Sequence, residues 1–353
     1  MKRRQKLLNT ESFARVGIVD LLNQFLSHQA TRTTGAKMAA MTSVVNYTVV
    51  FPFERTFDPL PSTIWMKHNW AHSITLSALY ALFIHQGQKW MEKRPPLRLN
   101  RLLTAWNCLL ATFSIFGLIR MTPEFFHSLT HFGFQYTVCN ASYAHGVTGF
   151  WTQMFALSKA FELGDTVFIV LRKRPVIFLH WYHHITVLVY TWHAYKDHTA
   201  AGRWFVWMNY LVHSFMYTYY AARSLGISPP KWIPMCITGM QLAQMVAGCF
   251  VSWTSYNIKR SNTYCQQSYE NLYFSFLIYT SYFVLFAHFF YTAYLRRGNR
   301  YQKLANGPLT RKYYLLLKAR KRTSVFRLWP CYANFSSLCR LFVSVIFNVD
   351  DSE

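Results

Sequence analysis

The chain has 353 residues, enough for one large domain or two small ones. Its formal net charge of +24 would suit a nucleic-acid-binding protein, but no RNP-type motif, zinc knuckle or helix-turn-helix pattern accompanies the charge. The cations instead gather at the chain ends and in short segments between apolar runs, which is typical of a membrane protein whose loops face anionic lipid. We therefore expect no nucleic-acid partner.

The apolar residues form runs long enough for a helix to cross about 30 Å of hydrocarbon. They predict an all-α integral membrane protein with seven spans, at 68–87, 102–121, 149–171, 176–194, 203–222, 232–252 and 271–295. Residues 122–148 are predicted to form a loop. The predicted parts of the chain are an N-terminal segment 1–67 that includes a basic extension 1–40, a membrane domain 68–297, and a basic tail 298–353 that is peripheral or disordered.

Lys and Arg are frequent after the first, third and fifth spans and absent from 122–148. Because cations mark the cytosolic side, we expect a lumenal N-terminus and a cytosolic C-terminus. Asn46 and Asn140 begin glycosylation sequons on the predicted lumenal side. Cys139 and Cys265 also fall in predicted lumenal segments, where an oxidising environment favours a disulfide between them.

The third span contains ionisable residues, which are costly inside a membrane and by default suggest function. Lys159, Glu162 and Thr166 have the spacing of one helical face, and Asp165 lies beside them. The ammonium and the two carboxylates can neutralise much of each other's charge. A purely structural ion-pair cluster is the alternative interpretation.

Three later spans also contain polar stripes. In the fourth, His180, His183 and His184 share one face, where imidazoles can act as bases, nucleophiles or metal ligands. The stripes of the fifth and sixth spans consist of Asn209, His213, Met216, Tyr217 and Tyr220, and of Thr238, Gln241 and Gln244. Interhelical hydrogen bonding could account for the glutamines without catalysis. We expect all four stripes to face inward and to line a polar tunnel.

Two kinds of chemistry fit these histidines. A membrane di-iron desaturase or hydroxylase would use them as iron ligands, but such enzymes need several histidine boxes. This chain has one HxxHH, and its HxxxH at His127 and His131 lies in the predicted loop on the other side. The second interpretation is acyl transfer from a thioester, with an activated imidazole and no metal.

The four stripes match, in order, the KxxExxDT, HxxHH, NxxVHxxMYxYY and TxxQxxQ patterns of the ELOVL family, the very-long-chain fatty acid elongases. Here the patterns are Lys159–Thr166, His180–His184, Asn209–Tyr220 and Thr238–Gln244. The resemblance covers about residues 65–297. The segment from Phe178 to Val187 looks most like the subgroup that elongates saturated and monounsaturated chains of about sixteen carbons.

This resemblance implies a very-long-chain 3-oxoacyl-CoA synthase of the endoplasmic reticulum membrane. Such enzymes condense acyl-CoA with malonyl-CoA to 3-ketoacyl-CoA, CO2 and CoA, with no metal or redox cofactor. The implied fold has seven helices, the last six forming a barrel around an acyl tunnel that is closed at the lumenal end. Membrane lipids and the reductase, dehydratase and enoyl-CoA reductase of the elongation cycle are the implied partners, and a homodimer is compatible with the family.

The resemblance also assigns roles to residues. His183 is the expected nucleophile, forming an acyl-imidazole, and His213 is expected across the tunnel, acting on the malonyl group or the enolate. His180 and His184 would fix tautomers and polarise carbonyls. The expected orienting and hydrogen-bonding residues are Lys159, Glu162, Asp165, Asn209, Tyr217, Gln241 and Gln244, of which the two carboxylates orient imidazoles.

Cations near the predicted cytosolic side could bind the phosphates of CoA at the tunnel mouth. The candidates are Arg172, Lys173, Arg174, Arg296 and Arg297. They could equally be topology signals alone.

Overall fold

The computed structural model describes residues 45–296. These residues are helical, with no strand among them, which confirms the predicted all-α class for this part of the chain. The predicted basic extension 1–40 and tail 298–353 lie outside the described residues. The helices are α1 Pro52–Arg55, α2 Pro59–Asn69, α3 His72–Glu92, α4 Asn100–Cys139, α5 Gly146–Phe161, α6 Gly164–Leu171, α7 Phe178–Tyr195, α8 Gly202–Ser224, α9 Trp232–Arg260 and α10 Tyr269–Phe290. A 3-10 turn, Ser142–Ala144, precedes α5, and a π-helical turn, Tyr291–Leu295, follows α10.

Three of the described helices are long and apolar enough to cross a membrane: α4, α9, and α10 with its π-helical turn. The other predicted spans are more polar or shorter helices. Their polar content is explained by their position, since α7 lies between α3, α5 and α10, and α8 packs along α4. Helices that pack against protein on several sides can contain polar residues that a lipid-facing helix excludes.

The predicted loop at 122–148 is wrong for most of its length, because α4 continues to Cys139. Pro123 lies inside this helix, and Gly133 interrupts it with φ 81° and ψ 170°. The helix can bury Glu124 because Arg203 of α8 neutralises the carboxylate, with contacts of 2.9 to 3.1 Å. Glu124 is a charged residue that would not be expected inside an apolar helix, but the fold pairs it with a cation.

The predicted third span is two helices rather than one. α5 ends at Phe161 and α6 begins at Gly164, so the chain breaks at Glu162 and Leu163. Glu162 is nevertheless buried. The ring of Trp106 from α4 lies so close to Gly164 that a Cβ there would overlap it, which explains why residue 164 is a glycine. The break therefore brings the Glu162 carboxylate into the bundle and packs α6 closely on α4.

One end of the bundle is held together by Arg203, which is fully buried. Besides Glu124, its guanidinium donates to the carbonyls of Thr137 and Asn140, at 2.8 and 3.0 Å. These two residues flank Cys139, which is disulfide-bonded to Cys265 in the structure. The end of α4, the start of α8 and the segment before α10 are thereby joined.

Candidate functional site

A cavity of about 360 Å³ lies between the helices at the opposite end from Arg203. Its wall comes from the α5–α6 junction, α7, α8, α9, α10 and the π-helical turn. The predicted site residues that line it are Glu162, Asp165, His180, His183, His184, Asn209, His213, Tyr217, Gln241 and Gln244. The four polar stripes therefore converge on one space, although each lies on a different segment of the chain.

Lys159 does not line the cavity but supports its wall. The buried ammonium donates to Glu162 Oε1 at 2.7 Å and to Asn209 Oδ1 at 3.1 Å, and Ser158 donates to the same carboxylate oxygen. The other oxygen, Glu162 Oε2, lies 3.8 Å from His213 Nδ1. A buried lysine and glutamate thus link the third-span motif to the fifth-span histidine.

The hydrogen bond from Lys159 to Asn209 determines the tautomer of His213. An ammonium can only donate, so Asn209 must turn its Oδ1 toward Lys159 and its Nδ2 toward His213. Asn209 Nδ2 then donates to His213 Nε2 over 3.2 Å. With Nε2 accepting, a neutral His213 holds its proton on Nδ1, which faces Glu162 Oε2. This chain of contacts holds the imidazole in one tautomer.

Asp165 does not orient an imidazole, contrary to the expectation from the resemblance. Its carboxylate accepts from Trp106 Nε1 at 2.6 Å and from the Tyr217 hydroxyl at 2.9 Å. The reason is geometric, because the break at Glu162 and Leu163 turns Asp165 toward α4 and α8. Asp165 therefore positions Tyr217, whose ring lies 5.4 Å from that of His213.

His183 is half-buried in the cavity wall. Its ring lies 5.0 Å from that of Tyr282, whose hydroxyl donates to the backbone carbonyl of His183. Within residues 45–296, no side chain or backbone group hydrogen-bonds the His183 imidazole. Its ring nitrogens are accessible, as a nucleophile requires.

The other two histidines of HxxHH are held differently. His180 Nε2 lies 2.8 Å from the Thr166 hydroxyl, which in turn contacts the Tyr80 hydroxyl of α3 at 2.6 Å. His184 is buried, its ring is 4.4 Å from that of His180, and its Nδ1 has no partner in the described residues. Tyr80 was not among the predicted residues, because α3 carries no motif that distinguishes it.

Gln241 and Gln244 both reach the cavity from α9. Gln241 Nε2 is 3.6 Å from the Met216 sulfur, a weak interaction that leaves the amide able to engage another acceptor. The structure therefore places both amides where an oxygen of a bound molecule could be reached.

The predicted phosphate-binding cations are not equivalent. Lys173 donates to the backbone carbonyls of Glu92 and Arg94 at 3.0 and 3.2 Å, so its ammonium caps the end of α3. Phosphate binding by Lys173 stays a prediction. Arg172 makes a long contact with Asn100, at 3.4 Å. Arg174 and Arg296 are exposed near residues that line the cavity, and Arg297 lies outside the described residues.

A second, smaller cavity of about 40 Å³ lies deeper in the bundle. Phe155, Tyr190 and Phe205 are among its lining residues. On α7, Tyr190 is seven residues beyond His183, and on α8, Phe205 is eight residues before His213. At 1.5 Å per residue, both helices place this cavity about 10 Å beyond the histidines. Its lining is mainly aromatic and aliphatic.

In the part of the chain that the structure describes, no three His, Cys, Asp or Glu side chains are arranged to hold a metal ion. His127 and His131 stack at 4.1 Å on a partly exposed face of α4, and do not line the cavity that contains HxxHH. The two histidine motifs are therefore not brought together.

Comparisons with known proteins identify the family of the chain. The profile described as "ELO: GNS1/SUR4 family" matches residues 65–302. "Putative fatty acid elongase 3" of Caenorhabditis elegans is 57% identical over 261 residues, 73% of this chain and 82% of that protein. "Very long chain fatty acid elongase 6" of Drosophila melanogaster is 49% identical, covering 72% and 81% of the two chains, and that of Mus musculus is 44% identical, covering 72% and 96%. The chain therefore belongs to the ELO: GNS1/SUR4 family, the fatty acid elongases, whose condensing step is that of a 3-ketoacyl-CoA synthase.

Proposed function

We propose that this chain condenses acyl-CoA with malonyl-CoA to 3-ketoacyl-CoA, CO2 and CoA, with the acyl group passing through His183. The observation that carries the proposal is an accessible imidazole in a cavity where carboxamides and a second, oriented imidazole also converge. Family membership supports the reaction class. The preferred substrates are proposed to be saturated or monounsaturated acyl-CoAs of palmitoyl length, as the resemblance of the segment from Phe178 to Val187 implies.

In the first half of the reaction, a neutral His183 nitrogen attacks the thioester carbonyl. The C–S bond breaks, the imidazole proton passes to the leaving thiolate, and CoA departs as a thiol from an acyl-imidazole. The partial burial of His183 limits the access of water to this reactive intermediate. Gln241 and Gln244, which line the cavity, are the proposed donors to the carbonyl oxygens of the two substrates.

In the second half, malonyl-CoA loses CO2 and its enolate attacks the acyl carbon. The C–N bond to His183 breaks and 3-ketoacyl-CoA is released. One proton taken up from water, the proton that the overall condensation consumes, returns His183 to the neutral imidazole. His213 is the proposed group that stabilises the enolate, because Glu162 and Asn209 hold its ring in a single orientation. Loss of CO2 makes the carbon–carbon bond formation irreversible in practice.

The deeper cavity is the proposed end of the acyl site. An acyl chain on His183 that extends along α7 and α8 reaches Tyr190 and Phe205 after about 10 to 12 Å. The far side of this cavity, at Tyr195 and Gly202, lies about 17 Å from the histidines. Each methylene that is buried there contributes about 0.8 kcal/mol. The aromatic rings around this space therefore favour chains that fill it and reject chains that exceed it.

The chain is a multi-pass membrane protein by its apolar helices and its family, which typically resides in the endoplasmic reticulum. We further propose seven spans, the last six surrounding the cavity, with a lumenal N-terminus and a cytosolic C-terminus. The Arg203 end would then be lumenal and closed, and the Arg174 and Arg296 end cytosolic, where CoA enters. The proposed partners are the other three enzymes of the elongation cycle, and a homodimer is compatible with this arrangement.

The test is an assay of membranes or purified protein with palmitoyl-CoA and carboxyl-labelled malonyl-CoA. Labelled CO2 that requires both substrates, and that disappears in His183→Ala, is the expected result. His131→Ala is the control, since His131 is exposed on α4 and outside the cavity. No CO2 from folded protein with any chain from lauroyl to lignoceroyl would refute the condensation. Activity that requires His131 and iron would support the desaturase or hydroxylase alternative.

A further inference from the structure

A series of hydrogen bonds connects α3 to the HxxHH motif. The Tyr80 hydroxyl lies 2.6 Å from Thr166 Oγ1, and Thr166 Oγ1 lies 2.8 Å from His180 Nε2. Tyr80 is 5% exposed and Thr166 is fully buried. No other hydrogen bond is formed by either hydroxyl within residues 45–296. Both hydroxyls are therefore buried, with no other hydrogen-bonding partner among the described residues.

This arrangement sets the direction of the hydrogen bonds. If Tyr80 donates to Thr166 and Thr166 donates to His180 Nε2, both hydroxyl protons are used. In the reverse direction the Tyr80 proton has no acceptor, and a buried donor without a partner costs about 1 to 3 kcal/mol. The favoured direction makes Nε2 an acceptor, so a neutral His180 holds its proton on Nδ1.

The free nitrogen faces the reaction space. His180 lines the large cavity, and its Nδ1 is hydrogen-bonded to no described residue and is not among the buried unpaired atoms. An N–H group there can donate to the thioester carbonyl oxygen as negative charge develops on it. The other tautomer would present a lone pair to the same oxygen and repel it. Control of this tautomer therefore matters for the first half of the reaction.

We propose that Tyr80 is a positioning residue that acts through Thr166 to hold His180 as an Nδ1–H donor toward the acyl carbonyl. The inference rests on the proposed condensation and makes α3 part of the catalytic unit, although α3 contributes no lining residue to the large cavity. Tyr80 touches no substrate in this arrangement. Its effect is on the tautomer of His180.

The test compares kcat and KM for both substrates in Tyr80→Phe, Thr166→Val and Thr166→Ser. Tyr80→Phe is expected to lower kcat roughly five- to tenfold, the effect of one neutral hydrogen bond, with both KM values unchanged. Thr166→Val should lower kcat at least as much, whereas Thr166→Ser should retain activity because it keeps the hydroxyl. Tyr210→Phe is the matched control, since this buried phenol donates to the Trp151 carbonyl and lines neither cavity. It should leave kcat unchanged.

The link to His180 is tested by combining variants. In a His180→Ala background, Tyr80→Phe should cause no further loss, because the group that it positions is gone. Full kcat in Tyr80→Phe, an equal loss in the His180→Ala background, or a Thr166→Ser enzyme as slow as Thr166→Val would overturn the proposal. If Tyr80→Phe does not fold, the Ser and Val pair at Thr166 decides the matter. A wild-type protein that releases no CO2 would refute the proposed function itself, whereas the outcomes above require an active wild type.

Discussion

Replacing Lys159 with methionine should separate folding from catalysis at this site. Lys159 is 1% exposed and its ammonium lies 2.7 Å from Glu162 Oε1, so the substitution leaves a buried carboxylate without its cation. Among described residues only the Ser158 hydroxyl still donates to it. Removing one partner of a buried pair costs about 3 to 5 kcal/mol, which corresponds to a fall of roughly 10 °C in the unfolding midpoint.

The double variant Lys159→Met with Glu162→Gln should recover most of this stability, because no unpaired charge remains in the interior. It should not recover activity. The ammonium that orients Asn209 and the carboxylate that faces His213 are both lost, so the His213 tautomer is no longer fixed. We expect condensation to fall at least tenfold, with malonyl-dependent CO2 release as the readout.

Thermal unfolding in detergent and labelled CO2 release would be measured on the same preparations. Lys196→Met is the matched control, since its pair with Asp197 is partly exposed and should contribute less than about 1 kcal/mol. Lys159→Met with wild-type stability would show that Glu162 is not held as a buried anion. Full activity in the double variant would show that catalysis does not require the Lys159–Glu162 pair.

Three further outcomes are expected. Phe205→Ala should shift the products toward longer acyl chains, because it enlarges the deeper cavity. Product analysis across acyl-CoA lengths measures this shift, and an unchanged product profile would show that the acyl chain binds elsewhere. Burial of His198, in the loop after α7, lowers its pKa from 6.5 to about 4, so the unfolded chain binds the extra proton between these values. Stability should therefore fall as pH drops from about 6.5 toward 4, and it should fall less in His198→Asn. Asparagine is chosen because it tolerates the positive φ at position 198. Identical pH dependence of stability in the two proteins would contradict this reasoning. Gly117→Ala should lower the unfolding midpoint, because its Cβ would overlap the Tyr210 ring, whereas Gly239→Ala has open space and should not; equal effects would refute the close packing.

Local spacing in the sequence predicted which residues form the site. His180, His183 and His184 share a face because a helix repeats every 3.6 residues, and the structure places all three on one cavity. The same reasoning predicted Asn209 and His213, which lie one turn apart and hydrogen-bond each other. Periodicity depends only on neighbours along the chain, so it can be recognised from the sequence without knowledge of the fold.

What the sequence could not decide is which group each side chain meets across the bundle. Asp165 contacts Trp106 and Tyr217 instead of an imidazole, because the break between α5 and α6 sets its direction. Lys173 caps α3 for a similar reason, through carbonyls about eighty residues earlier in the chain. These partners come from segments far apart, and no local pattern encodes their distance.

The sequence by itself determined the all-helical class, the family and the polar stripes, since these depend on composition, periodicity and motif order. The tertiary structure alone decided that α4 continues through Glu124, that Arg203 neutralises it, and that Tyr80 reaches His180 through Thr166. The physical reason is the same in each case. The cost of burying a polar group depends on the partner that it finds, and the partner is brought there only by the packing of the whole bundle.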